Sequence, residues 1–292
     1  MTEQLPEIVK LKLDIIFKRV FGDKKNKNII IAFLSDILEI PRKNIKEVYI
    51  DNVELPPEYL GEKFSRLDLK LEVQDINDSE NKIINIEMQV NSEPAFKERT
   101  LFYWSKMYSE ELKSSEEYDS LKKTVCINII NFNLFTSPEY QSHFQILEKD
   151  RQELLTDKFS IYFFELKKVK KSQKGKPVED WLNLINAEKK EELMALELST
   201  NIPEVKDVIV KVRELSSDEK LRRLAYYREK RLHDEANAIN GSKKEGIKIG
   251  RAEGRAEGRV EGRVEREKEL IAMMRQQGYS EEQINKLFGA IK

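Results

Sequence analysis

The chain has 292 residues, 39% hydrophobic and 36% charged, with 13 Phe and 10 Tyr, enough apolar material for a core in one larger or two ordinary domains beneath a heavily charged surface. No run approaches the roughly 18 uncharged apolar residues of a membrane span, and the acidic, Lys-punctuated N-terminus does not read as a secretory signal. The 52 basic and 53 acidic residues nearly cancel, so net charge neither announces nor excludes a nucleic acid.

From Ile8 to Phe21, Leu11, Ile15 and Phe17 with Phe21 fall at helical spacing, as do Ile16 and Val20; the pattern predicts a helix with Asp14 and Lys18 as an i,i+4 pair on its other side. A second apolar helix is predicted over Asn28 to Ile40, stopped by Pro41. A strand over Ile45 to Val53 follows, then a loop containing Pro56, Pro57 and Gly61.

The segments Arg66 to Val73 and Ile84 to Val90 alternate apolar and polar residues around a turn-rich stretch, Asp75 to Lys82, and predict a hairpin with one buried face. A register in which paired residue numbers sum to 155 or 157 puts every apolar residue on one side and sets Asp68 opposite Glu87 or Gln89. Opposed acidic side chains repel unless something neutralises them. Two carboxylates and a neutral oxygen suit Mg2+ or Mn2+; a solvated sheet face is the other reading of the same residues. Lys70 shares the Asp68 side and has Glu72 or a cross-strand acid as its simplest partner.

Pro94 predicts the start of a helix running to about Lys113, lined by Phe96, Phe102, Tyr103, Trp104 and Tyr108. Strands are predicted over Thr124 to Phe135 and Phe159 to Leu166. The single cysteine, Cys126, reads as a buried thiol, with a reducing cytoplasm as the expected compartment. His143 and His233 lack ligand-like neighbours, so zinc sites and Cys or Ser triads lack components, and no GxxxxGK loop is present. Catalysis, if present, falls to carboxylates.

Several motifs occur in order: Leu13 to Gly22, Asp68, Glu87-Met88-Gln89, Arg99 to Tyr103, and Phe163 to Lys167. This set resembles the bacterial recombination-promoting nuclease family, also described as transposases, within the PD-(D/E)XK nuclease superfamily. The resemblance covers roughly the first two-thirds of the chain and its glycine-charged tail. It implies an α/β fold with a restriction-endonuclease-like core, a central mixed sheet flanked by helices, followed by a mostly helical C-terminal region. It also implies a Mg2+- or Mn2+-dependent DNA endonuclease acting in recombination or transposition. Asp68 and Glu87 would hold the metal, with the Met88 carbonyl completing its shell, and Asp14 would be an accessory acid. Gln89 stands where Lys is commoner and could orient water or phosphate only by hydrogen bonding. Arg99, Tyr103 and Lys70 are the candidate DNA contacts. The alternative is a catalytically weak or inactive member acting in DNA binding or self-assembly; a factor that cuts only with partner proteins is a further one.

The expected organisation is a nuclease-like domain over 1–170, a helical region over 171–240, a repeat segment over 241–268 and a terminal helical hairpin over 269–292. Lys167 to Lys176 is a basic run, readable as a solvated linker or a phosphate-contacting strap. Gly246, Gly250, Gly254, Gly258 and Gly262 recur every fourth residue among Arg, Ala or Val, and Glu. Each helical Gly costs about 1 kcal/mol relative to Ala, so this segment reads as a partly helical linker or as a helix stabilised against a partner, a possible seat for a homo-oligomer. Gly278 is expected to end a helix, and Ser280 with Gln283 forms a capping box for a last short helix, which suits partner docking or a recognition helix.

Overall fold

The structure, a computed structural model, describes residues 5–51, 54–55, 65–66, 69–75, 81–112, 116–170 and 175–288. By its internal contacts the chain divides into two compact units, Met1–His233 and Asp234–Lys292. No helix among the described residues is long and apolar enough to cross a membrane.

In the first unit, helices α1 (Asp14–Phe21) and α2 (Lys27–Leu38) precede strand β1 (Ile45–Asp51). A small ladder, β2 (Glu54–Leu55) with β3 (Ser65–Arg66), leads into β4 (Leu69–Asp75) and β5 (Lys82–Gln89). Helix α3 (Phe96–Glu110) then crosses to β6 (Thr124–Ile130), followed by β7 (Gln141–Phe144) and β8 (Phe159–Glu165). The main sheet is mixed, in the order β1-β4-β5-β6-β8-β7. β5, β6 and β8 run parallel, while β1, β4 and the edge strand β7 are antiparallel to their neighbours.

Helices cover both sides of the sheet. On one side Leu69, Leu71, Ile84, Ile86 and Met88 join Ile16, Phe17 and Phe33 in the larger core, with Trp181 edge-on to Phe33 at 5.4 Å. On the other, α3 presses Phe96 and Met107 against Cys126, Ile161 and Phe163. The larger core continues into α4 (Pro177–Asn186), α5 (Lys190–Ser199) and α6 (Pro203–Ser217), and takes Ala225 and Leu232 from the start of α7 (Glu219–Gln276).

Some local expectations are corrected. Residues 8–13 are not helical: this stretch is buried by long-range contacts, with the Val9 amide donating to Ser216 Oγ at 3.0 Å. Helix α3 starts at Phe96 rather than Pro94 because Ala95 takes a left-handed φ of 55°. β5 lacks the solvated face that alternation suggested, since Asn85 and Glu87 are buried along with their apolar neighbours. β6 ends at Ile130 rather than near Phe135.

In the second unit the glycine repeat is part of the continuous helix α7. Gly278 follows with φ of 86°, and Ser280 and Gln283 exchange hydrogen bonds ahead of α8 (Glu281–Phe288), as the capping box requires.

Candidate active site

Alternation along β5 places Asn85, Glu87 and Gln89 on the side of the sheet that α3 covers. Pairing fixes their neighbours: Lys70 lies across from Asn85 on β4, while Asn128 and Cys126 on β6 lie beside Glu87 and Asn85. The left-handed turn at Ala95 reverses the chain and starts α3, whose Arg99 amide bonds back to the Ala95 carbonyl. Arg99 therefore sits one turn into the helix, directly above the end of β5.

Its guanidinium gathers the site. Arg99 Nη2 donates to Glu87 Oε1 at 3.0 Å and to Gln89 Oε1 at 3.2 Å, and Nη1 donates to Glu93. Gln89 closes the ring by donating to Glu93 Oε1 at 2.9 Å. The rings of Phe96 and Tyr103 lie 4.9 and 5.8 Å from the guanidinium carbon and hold its orientation. Beneath this layer Thr100 donates to Asn128 Oδ1 at 3.4 Å, and Asn128 Nδ2 donates to the Tyr162 carbonyl. Asn85 Oδ1 is buried without a hydrogen-bond partner among the described residues. Burial pushes the Cys126 thiol far up, the Glu87 charge adds to this, and the Asn85 hydrogen bond opposes it; this cysteine is a packing residue and not a nucleophile.

A family model described as PD-(D/E)XK nuclease family transposase matches residues 11–242. The chain belongs to this family. No curated protein and no solved structure matches it. As a member of the PD-(D/E)XK transposase family, the chain has the expected fold, a mixed sheet flanked by helices.

For this family member, the site residues named from the sequence divide into groups. Glu87, Gln89, Arg99 and Tyr103 come together. Asp68 lies outside the described residues; the last described pair of the β4–β5 ladder is Leu69 with Ile86, in the register summing to 155. Met88 turns its side chain into the opposite core. Asp14 is gripped by Arg228 through two hydrogen bonds of 2.8 and 3.1 Å, on a helix packed on the other side of the sheet from the Glu87 side chain. Lys70 pairs with Glu111 at the end of α3, at 3.7 Å, and Glu72 instead takes Lys122 at 2.9 Å. Burial opposes charge on Lys122, but its hydrogen bonds to Glu72 and Glu111 outweigh this and raise its pKa.

Glu93, Asn128, Glu111 and Lys122 were not anticipated. Asn128 had a signal, because Thr124, Cys126 and Asn128 place polar or small groups at alternate positions of an otherwise aliphatic strand. Glu93 had none, since it lies on a connection without periodicity.

Among the described residues no group of three His, Cys, Asp or Glu stands ready to hold a metal. The donors that do converge are oxygens from Glu87 and Gln89, drawn to one cationic nitrogen. One carboxylate and one amide oxygen are hard donors of the kind that divalent ions such as Mg2+ take, and here they are engaged by Arg99.

Proposed function

We propose that the protein is a metal-dependent DNA endonuclease serving recombination or transposition, with its centre at Asp68, Glu87 and Gln89. The observation that carries this reading is that Glu87 and Gln89 lie side by side at the end of β5 in a chain of the PD-(D/E)XK transposase family. Asp68, outside the described residues, immediately precedes Leu69 in the sequence, and Leu69 pairs with Ile86, the residue before Glu87. Asp68, Glu87 and the Met88 carbonyl are the ligands proposed for Mg2+ or Mn2+. When bound, such an ion lowers the pKa of a coordinated water and offsets charge on the scissile phosphate.

The remaining work belongs to the chain. Gln89 carries no charge and orients water or phosphate through its amide. Arg99 is about a quarter exposed and is long enough to turn from Glu87 to a DNA phosphate, supplying the positive charge that Gln89 lacks. Tyr103 and Lys70 extend the contact with the DNA backbone. The buried layer of Thr100, Asn128 and Cys126 keeps the floor of the site rigid and dry.

The test is cleavage of supercoiled and linear DNA by the purified chain with Mg2+, Mn2+ or Ca2+, beside Asp68→Ala and Glu87→Ala. Metal-dependent nicking by the wild type that both variants lose, while still retaining DNA, is the expected result. A second reading, a non-cleaving member acting in DNA binding or self-assembly, draws on Gln89 in the lysine position and on the pairing of Glu87 with Arg99. DNA retention without cleavage in any of the three metals selects it.

A further inference from the structure

The oxygens that converge at the end of β5 can serve only one cation at a time. Arg99 Nη2 lies 3.0 Å from Glu87 Oε1 and 3.2 Å from Gln89 Oε1, so a single nitrogen holds both hard donors of the site. The Glu87 side chain is only 10% exposed, and a carboxylate at that depth is costly to leave without a positive partner. A second positive charge brought to the same oxygens meets the guanidinium at close range, where like charges repel strongly. Arg99 and a divalent cation are therefore alternatives at Glu87, and one leaves as the other arrives.

The surroundings allow Arg99 to leave without dismantling the site. Its Nη1 donates to Glu93, whose side chain is 43% exposed, so the guanidinium is already tied to an acid at the surface. The connection carrying Glu93 is itself fastened, because Asn91 Nδ2 donates to the Leu232 carbonyl of α7 at 2.6 Å. Gln89 keeps its orientation independently of Arg99. Its Nε2 donates to the Asn91 carbonyl at 3.1 Å and to Glu93 Oε1 at 2.9 Å. Both partners are acceptors, so a flipped amide would set oxygen against oxygen, and Gln89 Oε1 stays turned to the place that Arg99 now fills.

We propose, on the nuclease reading above, that Arg99 is an exchangeable counter-ion: it neutralises Glu87 until a divalent cation replaces it, and then turns about its contact with Glu93 to bind a DNA phosphate. The cation favours the turned-out arginine by taking its acid, and the phosphate favours the same state by taking its charge. Each ligand therefore raises the affinity of the other, and by the same factor. Couplings between sites typically amount to about 5–150-fold. The exchange keeps divalent cations weakly held until DNA is present, and so links loading of the site to its substrate.

The experiment reads binding rather than cleavage and uses the full-length chain. Calorimetry measures the affinity for Ca2+ alone, and anisotropy measures the affinity for a fluorescein-labelled DNA duplex, checked as intact on a gel, with and without Ca2+. Wild type is expected to bind the duplex about 10-fold more tightly when Ca2+ is present. Arg99→Gln lacks the charge but keeps hydrogen-bonding groups; it should bind Ca2+ alone about 10-fold more tightly than wild type and lose most of the effect of Ca2+ on DNA. Glu87→Gln should lose Ca2+ binding. A folded Arg99→Gln variant, judged by its melting curve, that binds Ca2+ no more tightly than wild type makes the arginine a scaffold and overturns the exchange. Ca2+ binding that survives Glu87→Gln overturns it, as does a coupling undiminished in Arg99→Gln, which puts the cation on the phosphate directly. Wild type whose DNA affinity is indifferent to Ca2+ also refutes it, and that comparison needs no variant to fold. Exchange without cleavage in any metal refutes the nuclease reading alone, and cleavage without exchange refutes the exchange alone.

Discussion

Replacing Arg99 with Ala removes the cation that joins Glu87, Gln89 and Glu93, and its cost can be worked from burial. The Glu87 side chain is 10% exposed and that of Arg99 is 24% exposed, between a fully buried pair, whose disruption costs about 3–5 kcal/mol, and a surface pair worth about 0–1 kcal/mol. About 2 kcal/mol is expected for Arg99→Ala, most of it from a carboxylate left with a weakened surrounding charge. If so, removing that charge should recover part of the loss. The double variant Arg99→Ala/Glu87→Gln should be about 1 kcal/mol more stable than Arg99→Ala alone, a coupling that a double-mutant cycle isolates. Urea unfolding followed by tryptophan fluorescence is the assay; Trp104 and Trp181 both lie in the first unit, so the signal reports that unit. A loss below about 0.5 kcal/mol, or a double variant no more stable than the single one, would refute the view that Glu87 is held as a charge by Arg99.

Trp181 is wholly buried between Phe21 and Phe33, and Trp181→Ala should cost about 3–5 kcal/mol in thermal or denaturant unfolding. Burial raises the Asp36 carboxyl above its usual range, against the opposing Trp181 hydrogen bond and Arg42 charge. A raised folded pKa gives stability that is present below the unfolded value and lost as pH rises through the folded one. Asp36→Asn should therefore gain up to about 1 kcal/mol at neutral pH and nothing near pH 3, compared by melting at both. Glu72 is shifted the other way, held low first by the Asn81 hydrogen bond and then by Lys122. Its contribution is present above the unfolded carboxylate value and disappears as pH falls through the lower folded one. Lys122→Met should cost under about 1 kcal/mol at pH 7, after discounting for partial exposure, and less at pH 3, a difference that paired urea titrations resolve. Thiol alkylation of the native chain should leave Cys126 unmodified until the protein unfolds, as mass spectrometry along a urea series would show.

What the sequence determined by itself was periodic. Alternation in β4 and β5 defined which residues share a face and restricted the register to two choices, of which the structure has the one summing to 155. The spacing of apolar residues located α2 closely, and the capping box with Gly278 marked the last helix boundaries. These features are set by neighbours a few positions away, where backbone geometry acts directly. Tertiary structure decided the rest. Residues 8–13 have helical spacing but are buried as an irregular segment, because contacts with residues near 188 and 216 override local preference. Asp14, readable as the partner of Lys18, is engaged by Arg228 more than two hundred residues away. Glu87 was legible as an acid on a strand, yet its burial depends on α3 folding over that face, and Glu93 joins it from a loop with no periodic signal. The glycine repeat was visible at once, but a one-dimensional pattern of propensities reads it as a weak helix. Tertiary structure adds that the repeat belongs to one continuous helix whose glycines have nothing within 4 Å of an added methyl group.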